Sequence, residues 1–278
     1  MKPKILIAFG AATAVMLAGW LTLSWMSQTE SHYVPPPKSN GKSKAKSDPA
    51  VYSPVHFCDG EVSEYAIRIE RGILKSPVGQ CTFAAKRIDH NGTVAWQFTL
   101  KGGALLGLVN YDATSIVNAA FDHTIEYHTL QKDLASRKVD LEFDAINRVC
   151  RRTLNGEPAG EVPTEAHTLD PLSIIFKFRE MNLSETGEFS SAVSDGKATF
   201  KAKVTVVGKE EITIGDKKFA AILVEPDLGP MRGIFRKTEG SKLQIWLSDD
   251  AHQTALRIKT QIKHGTFIAD LKNYTRPK

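Results

Sequence analysis

The chain has 278 residues, 42% apolar and 24% charged, enough to bury a sizeable core in one large domain or two small ones. Its formal net charge is +5, but Lys2 and Lys4 supply two of those charges and the Glu30–Asp48 stretch two more, so the part from His56 onward is nearly neutral. That distribution argues against nucleic-acid binding, which needs a basic surface on the folded part.

In chain order, the first feature is a run of 22 uncharged residues from Ile5 to Met26, preceded by Lys2 and Lys4. As a helix it is about 33 Å long at ~1.5 Å per residue, enough to cross a hydrocarbon core of ~30 Å. It ends Trp25-Met26-Ser27-Gln28 without a small-residue cleavage pattern, and it holds no cysteine for lipid attachment. Residues 1–26 are therefore read as an N-terminal membrane anchor or uncleaved signal, in preference to a cleaved one. The two N-terminal lysines favour a cytoplasmic N-terminus. The expected location is then the inner membrane, crossed once by residues 5–26, with everything beyond in the periplasm.

Residues 27–55 read as a spacer. Pro35, Pro36 and Pro37 precede a Ser/Lys/Asn/Gly stretch and then Pro49 and Pro54, a composition that buries too little apolar surface to offset its ordering entropy.

Residues 56–278 read as one β-rich domain. Tyr65, Ile67 and Ile69 alternate with polar or small residues, as do Trp96, Phe98 and Leu100, then Val139, Leu141 and Phe143, and finally Leu256, Ile258 and Ile262. Such a period of two marks strands with one dry and one wet face. Asn91-Gly92, Asn155-Gly156, Asp195-Gly196 and Gly215-Asp216 supply hairpin turns between strands. Phe219–Val224 is apolar at both parities, which predicts a strand covered on both sides. One segment has helical spacing instead: Leu172, Ile175, Phe176 and Arg179 after Asp170-Pro171, with Thr168 or Asp170 as cap. It predicts a helix over roughly 170–182. The fold class is thus mostly β: an antiparallel, strongly curved sheet or barrel with one short helix, preceded by a transmembrane helix.

Three blocks in this domain carry a resemblance. The first is Phe57-x-x-Gly60-Glu61 leading into Tyr65-x-Ile67 and Gly72-Ile73. The second is Leu169-Asp170-Pro171-Leu172-Ser173 with Phe178-Arg179. The third is Leu243-Gln244-Ile245-Trp246-Leu247-Ser248-Asp249-Asp250, then Gly265-x-x-x-Ala269-x-Leu271. Together, over roughly residues 57–274, they resemble the Domain of Unknown Function 3108 family of exported, β-rich Gram-negative envelope proteins. Thr254-Ala255 departs from the family's common Pro-Val, and the Gly72–Gly79 turn, containing Pro77, looks longer. The resemblance implies export and fold, and no activity.

Candidate chemistry is sparse. Asp249, Asp250 and His252 form a candidate functional turn, since adjacent carboxylates can bind a hard cation or exchange protons; between two strand patterns, turn capping is the preferred reading. Cys58 and Cys81 are a candidate disulfide, alongside three buried thiols as the plain alternative. The histidines, His123, His128 and His167 among them, lack metal-ligand spacing, and no nucleophile elbow or phosphate loop occurs. No cofactor, metal or catalytic residue is expected. Lys197, Lys201 and Lys203 share a strand face, as do Arg257, Lys259 and Lys263, and a basic face can hold lipid phosphates or an acidic partner. The expected function is a non-enzymatic envelope protein that binds a lipid or other hydrophobic component in its curved sheet. The alternative is a structural or assembly protein acting through surface contacts with an envelope partner. An open, apolar sheet interior favours the first, and a filled one the second.

Overall fold

Strands form where the alternation is, and turn residues set where each one ends. The computed structural model describes residues 56–104, 107–133, 136–181, 183, 188–227, 242–262 and 265–277. The anchor and spacer read at 1–55, and Lys263, lie outside them. Among the described residues no helix is long and apolar enough to cross a membrane.

A first meander runs through β1 (Glu61–Arg71), β2 (Leu74–His90), β3 (Thr93–Ala104), β4 (Val109–Asn118), β5 (Thr124–Lys132), β6 (Ser136–Asp144), β7 (Val149–Leu154) and β8 (Glu157–Pro163). The two-residue β9 (Thr168–Leu169) and helix α1 (Ser173–Arg179) follow. A second meander comprises β10 (Glu188–Ser194), β11 (Thr199–Ile214), β12 (Lys217–Asp227), β13 (Leu243–Ser248), β14 (Ala255–Ile262) and β15 (Gly265–Thr275). The last strand pairs with the first, Ala269 opposite Ile67, so the described strands make one fifteen-stranded sheet with β8 at one edge and β9 at the other. Its ladders are antiparallel except for the short parallel pair of β9 and β10.

Among the described residues the curved sheet is not closed by a ladder between its two edges. Its two halves meet through side chains instead. Thr199 Oγ1, at the start of β11, donates to the Pro163 carbonyl at the end of β8 (2.6 Å). The β10–β11 turn presses on β6 and β7 at Gly196, where an added Cβ would stand 2.3 Å from Leu141 Cδ2. Gly196 also has φ +75°, so glycine is required there twice over.

Asn91-Gly92 and Asn155-Gly156 each place both residues at positive φ, the twist that two-residue hairpins need. The expected long turn over 72–79 is not found. Arg71 pairs with Leu74, leaving only Gly72 and Ile73 in the turn, and Pro77 lies within β2 beside a register shift, where a missing N–H is tolerated. The helix is shorter than 170–182, because Asp170-Pro171-Leu172 form its entry turn and Glu180 ends it.

Six of the seven α1 residues are buried inside the curve of the sheet. Phe176 stacks on Phe98 with ring centroids 4.2 Å apart. Phe57, just before β1, meets Trp96, Phe98, Phe121 and Phe176 edge-on at 5.1–5.8 Å. Each such pair adds about 0.5–1.5 kcal/mol beyond burial itself. β12 is covered on both sides as its apolar run predicts: Ile222 and Val224 join this core, while Ala221 packs with Ile212, Trp246 and Leu256 on the opposite face. A bulge that leaves Val207 unpaired reverses the facing of β11 between Val206 and Ile212.

Candidate functional site

The Asp249–His252 turn joins β13 to β14, and its three polar groups point to different partners. Asp249 pairs with exposed Lys209 on β11 (2.8 and 2.9 Å). Asp250 Oδ1 accepts from Ser248 Oγ (2.8 Å), His252 N (2.8 Å) and Gln253 N (3.2 Å). Burial pushes its carboxyl up, but these donors pull harder and hold it below the ordinary value. His252 Nδ1 faces the Arg276 guanidinium. Thr254 N donates to Ser248 Oγ (2.9 Å), a bond that proline at this position has no N–H to make. Among the described residues no three His, Cys, Asp or Glu side chains are grouped to hold a metal ion.

Beneath this turn lies an ion pair that neither spacing nor periodicity signals. Arg179, at the end of α1, and Glu61, at the start of β1, are 5% and 2% exposed. Arg179 Nη1 donates to Glu61 Oε1 (2.5 Å), and its remaining N–H groups reach the carbonyls of His56 (2.8 Å), His252 (3.0 Å) and Gln253 (3.1 Å). Burial alone pulls the guanidinium pKa down, yet Glu61 raises it above its ordinary value. Tyr274 OH donates to Glu61 Oε2 (3.0 Å). One side chain thus ties together the chain before β1, α1, and the turn after β13. All three sequence blocks meet here: Phe57 and Glu61 from the first, Arg179 from the second, Ser248–Asp250 from the third.

The second block holds another buried anchor. Asp170, fully buried, accepts from Leu172 N (2.7 Å) and Ser173 N (3.1 Å) on Oδ1. Ser115, Thr124 and Ser173 hydroxyls reach its Oδ2 (2.5–2.7 Å). It caps the entry turn of α1 and pins the helix to β4 and β5.

Cys58 and Cys81 are free thiols, not a disulfide. Glu61 pairs with Ala85 and Tyr65 with Cys81, so Glu61 lies about 13 Å along the ladder from the level of Cys81 at ~3.3 Å per residue, and Cys58, whose carbonyl accepts from Glu61 N, lies in the turn before it. A disulfide spans at most ~7 Å between Cα atoms. Burial pushes Cys81 and Cys150 up to about 12; it also raises the less buried Cys58, against the lowering effect of Arg276. A maleimide at pH 8 is expected to label Cys58 first, and Cys81 and Cys150 only on unfolding, with three thiols counted in denaturant without reductant. Two thiols missing from that count would contradict the free state.

The histidines sit in surface pairs: His123 and His167 with Asp122, His128 between Glu126 and Asp140. Lys201 and Lys203 are exposed on β11, and Lys197 falls in the preceding turn rather than on that strand. Arg257 and Lys259 belong to something more organised. On the outer face of the sheet they line an open cleft of about 490 Å³, together with Arg68 and Glu70 (β1), Lys75 (β2) and Asp270 (β15). Thr213 and Gly215, at the tip of the β11–β12 hairpin, form one wall, and Trp246 and Ile268 contribute apolar surface. Trp246 is therefore not part of the main core that holds Trp96; its indole N–H donates to Glu210 (2.5 Å). Asp270 is held between Arg68 and Arg257, the latter at 2.5 Å. Arg68 also pairs with Glu70 (2.9 Å), and Arg257 donates to the Thr213 carbonyl (3.0 Å). The side-chain ammoniums of Lys75 and Lys259 have no hydrogen-bond or ion-pair partner among the described residues.

This fold is similar to that in the crystal structure of a β-barrel-like protein of the Domain of Unknown Function DUF1849 from Brucella abortus. The TM-score is 0.52 at 7% identity, covering 80% of this chain and 99% of that one. No curated protein matches the chain. The family described as "Protein of unknown function (DUF3108)" matches residues 64–272, a span that holds α1, Arg179, Asp170 and every lining residue of the cleft. The chain belongs to the DUF3108 family.

Proposed function

We propose that this protein is a non-enzymatic module of the cell envelope that works through its outer surface, held beside the inner membrane by residues 5–26. The observation that carries this reading is the interior of the sheet: α1 and the rings of Phe57, Trp96, Phe98, Phe121 and Phe176 occupy the concave side and contact one another. A carrier for a lipid needs apolar space there, in the range of ~300–1,000 Å³ for a small-molecule site, and among the described residues these packed side chains lie where that space would be. The groups available for acid–base chemistry in the 249–252 turn are spent on their own loop, on Lys209 and on Arg276. Among the described residues, the outer cleft stays open and is lined by charged groups.

The test is uptake of a hydrophobic dye. Residues 50–278, the compact unit that contains every described strand, are expected to give no saturable rise in N-phenylnaphthylamine fluorescence. Saturable uptake at one dye per chain, displaced by phospholipid, would return the protein to the carrier reading.

A further inference from the structure

We propose that the outer cleft between the β11–β12 hairpin and strands β1, β2, β14 and β15 binds a phosphate group. This rests on the surface reading above and names the ligand chemistry of that surface. Four cationic side chains, Arg68, Lys75, Arg257 and Lys259, face two carboxylates, Glu70 and Asp270. The excess of positive charge sits in a concave site, where field lines concentrate and attract an anion.

The two carboxylates do more than reduce the charge. Asp270 contacts both Arg68 and Arg257, and Glu70 fixes the Nε edge of Arg68. Thr213 fixes Arg257 from the hairpin side. Both guanidiniums are therefore held before any ligand arrives, with side-chain exposures of 26% and 18%. Arg68 keeps Nη2, and Arg257 keeps Nη1, without a hydrogen-bond acceptor among the described residues. A fixed planar fork suits a tetrahedral oxyanion, whose several oxygens accept from more than one donor at once.

Lys75 and Lys259 complete the site. They stand on β2 and β14, without a partner among the described residues. An ammonium without a carboxylate partner is a mobile point charge able to close on a bound anion. The apolar surface of Trp246 and Ile268 and the volume of about 490 Å³ leave room for the group that carries the phosphate. A phosphate on a lipid headgroup and a free phosphate share this chemistry.

The experiment is calorimetric titration of the full chain in nonionic detergent with three probes: inorganic phosphate, micelles doped with phosphatidic acid, and micelles doped with phosphatidylglycerol. The double variant Lys75→Glu/Lys259→Glu is titrated beside it, with Lys86→Glu/Lys201→Glu as a matched charge control on exposed strand positions. Saturable binding of at least one probe is expected, reduced tenfold or more by the first double variant and unchanged by the second. Binding of inorganic phosphate identifies a free phosphate or its esters as ligand, and binding of doped micelles alone identifies a lipid headgroup. No saturable binding of any probe overturns the proposal, as does equal weakening by both variants, which marks a diffuse charge effect. Circular dichroism of the variants separates loss of the site from loss of the fold. Dye uptake by the sheet interior is a separate readout, so failure here and failure of the surface reading are distinguishable.

Discussion

Replacing Arg179 with methionine is expected to destabilise the domain by about 3–5 kcal/mol, the range for breaking a buried ion pair by removing one partner. The cause is what remains. Glu61 would keep a single hydrogen bond, from Tyr274 OH, in a place where 2% of its surface meets water. The carbonyls of His56, His252 and Gln253 would lose their donor together. At ~2–4 °C per kcal/mol for a domain of this size, the melting temperature falls by on the order of 10 °C. Arg179→Lys should recover little, since an ammonium cannot span Glu61 and three carbonyls from one fixed plane. The double variant Glu61→Gln/Arg179→Met should recover part of the loss, because the uncompensated charge goes with it. Thermal unfolding of the three variants checks this, and a loss under ~1 kcal/mol for Arg179→Met would mean the pair is not the clasp described here.

Asp170→Ala should cost about 3–5 kcal/mol as well. Leu172 N and Ser173 N lose their acceptor, at about 1–3 kcal/mol for each buried group left unsatisfied. The hydroxyls of Ser115, Thr124 and Ser173 lose Oδ2 at the same time, although Ser173 Oγ retains the Asp170 carbonyl at 3.3 Å. Asp170→Asn keeps one acceptor oxygen for the two N–H groups and keeps the shape, so a loss of about half that size is expected in denaturant unfolding. Equal losses for Ala and Asn would assign the effect to charge rather than to capping.

How much of this is legible in the sequence follows from the range of the physics involved. Alternation is local, so β1, β3, β6 and β14 are readable from Tyr65, Trp96, Val139 and Leu256 onward. The double-sided run at Phe219–Val224 is readable for the same reason. Bulges are not: one extra residue at Val207 turns Ile212 from the inner to the outer face, and nothing in its neighbours' composition announces it. Side-chain pairs across long separations are invisible too. Glu61 and Arg179 lie 118 positions apart; Arg179 shares the helical spacing of an apolar face and both belong to the quoted blocks, but nothing local pairs one with the other. The cleft had a partial signal. Arg257 and Lys259 share a basic strand face in the sequence, whereas Arg68, Lys75 and Asp270 join them only because β15 returns to pair with β1. The turn at 249–252 reads in the sequence as adjacent carboxylates, and its geometry is that of a cap and a surface pair.

In the proposed function the curved sheet is filled by its own side chains and offers its outer face for binding. Native mass spectrometry of residues 50–278, exported to and purified from a bacterial periplasm, tests it most directly. The mass of the polypeptide alone, with no adduct after incubation with phospholipid or fatty acid, is the result predicted by α1 and its aromatic partners occupying the interior. A stoichiometric adduct that organic extraction identifies as lipid, and that persists in Lys75→Glu/Lys259→Glu, would place a ligand inside the sheet and contradict it.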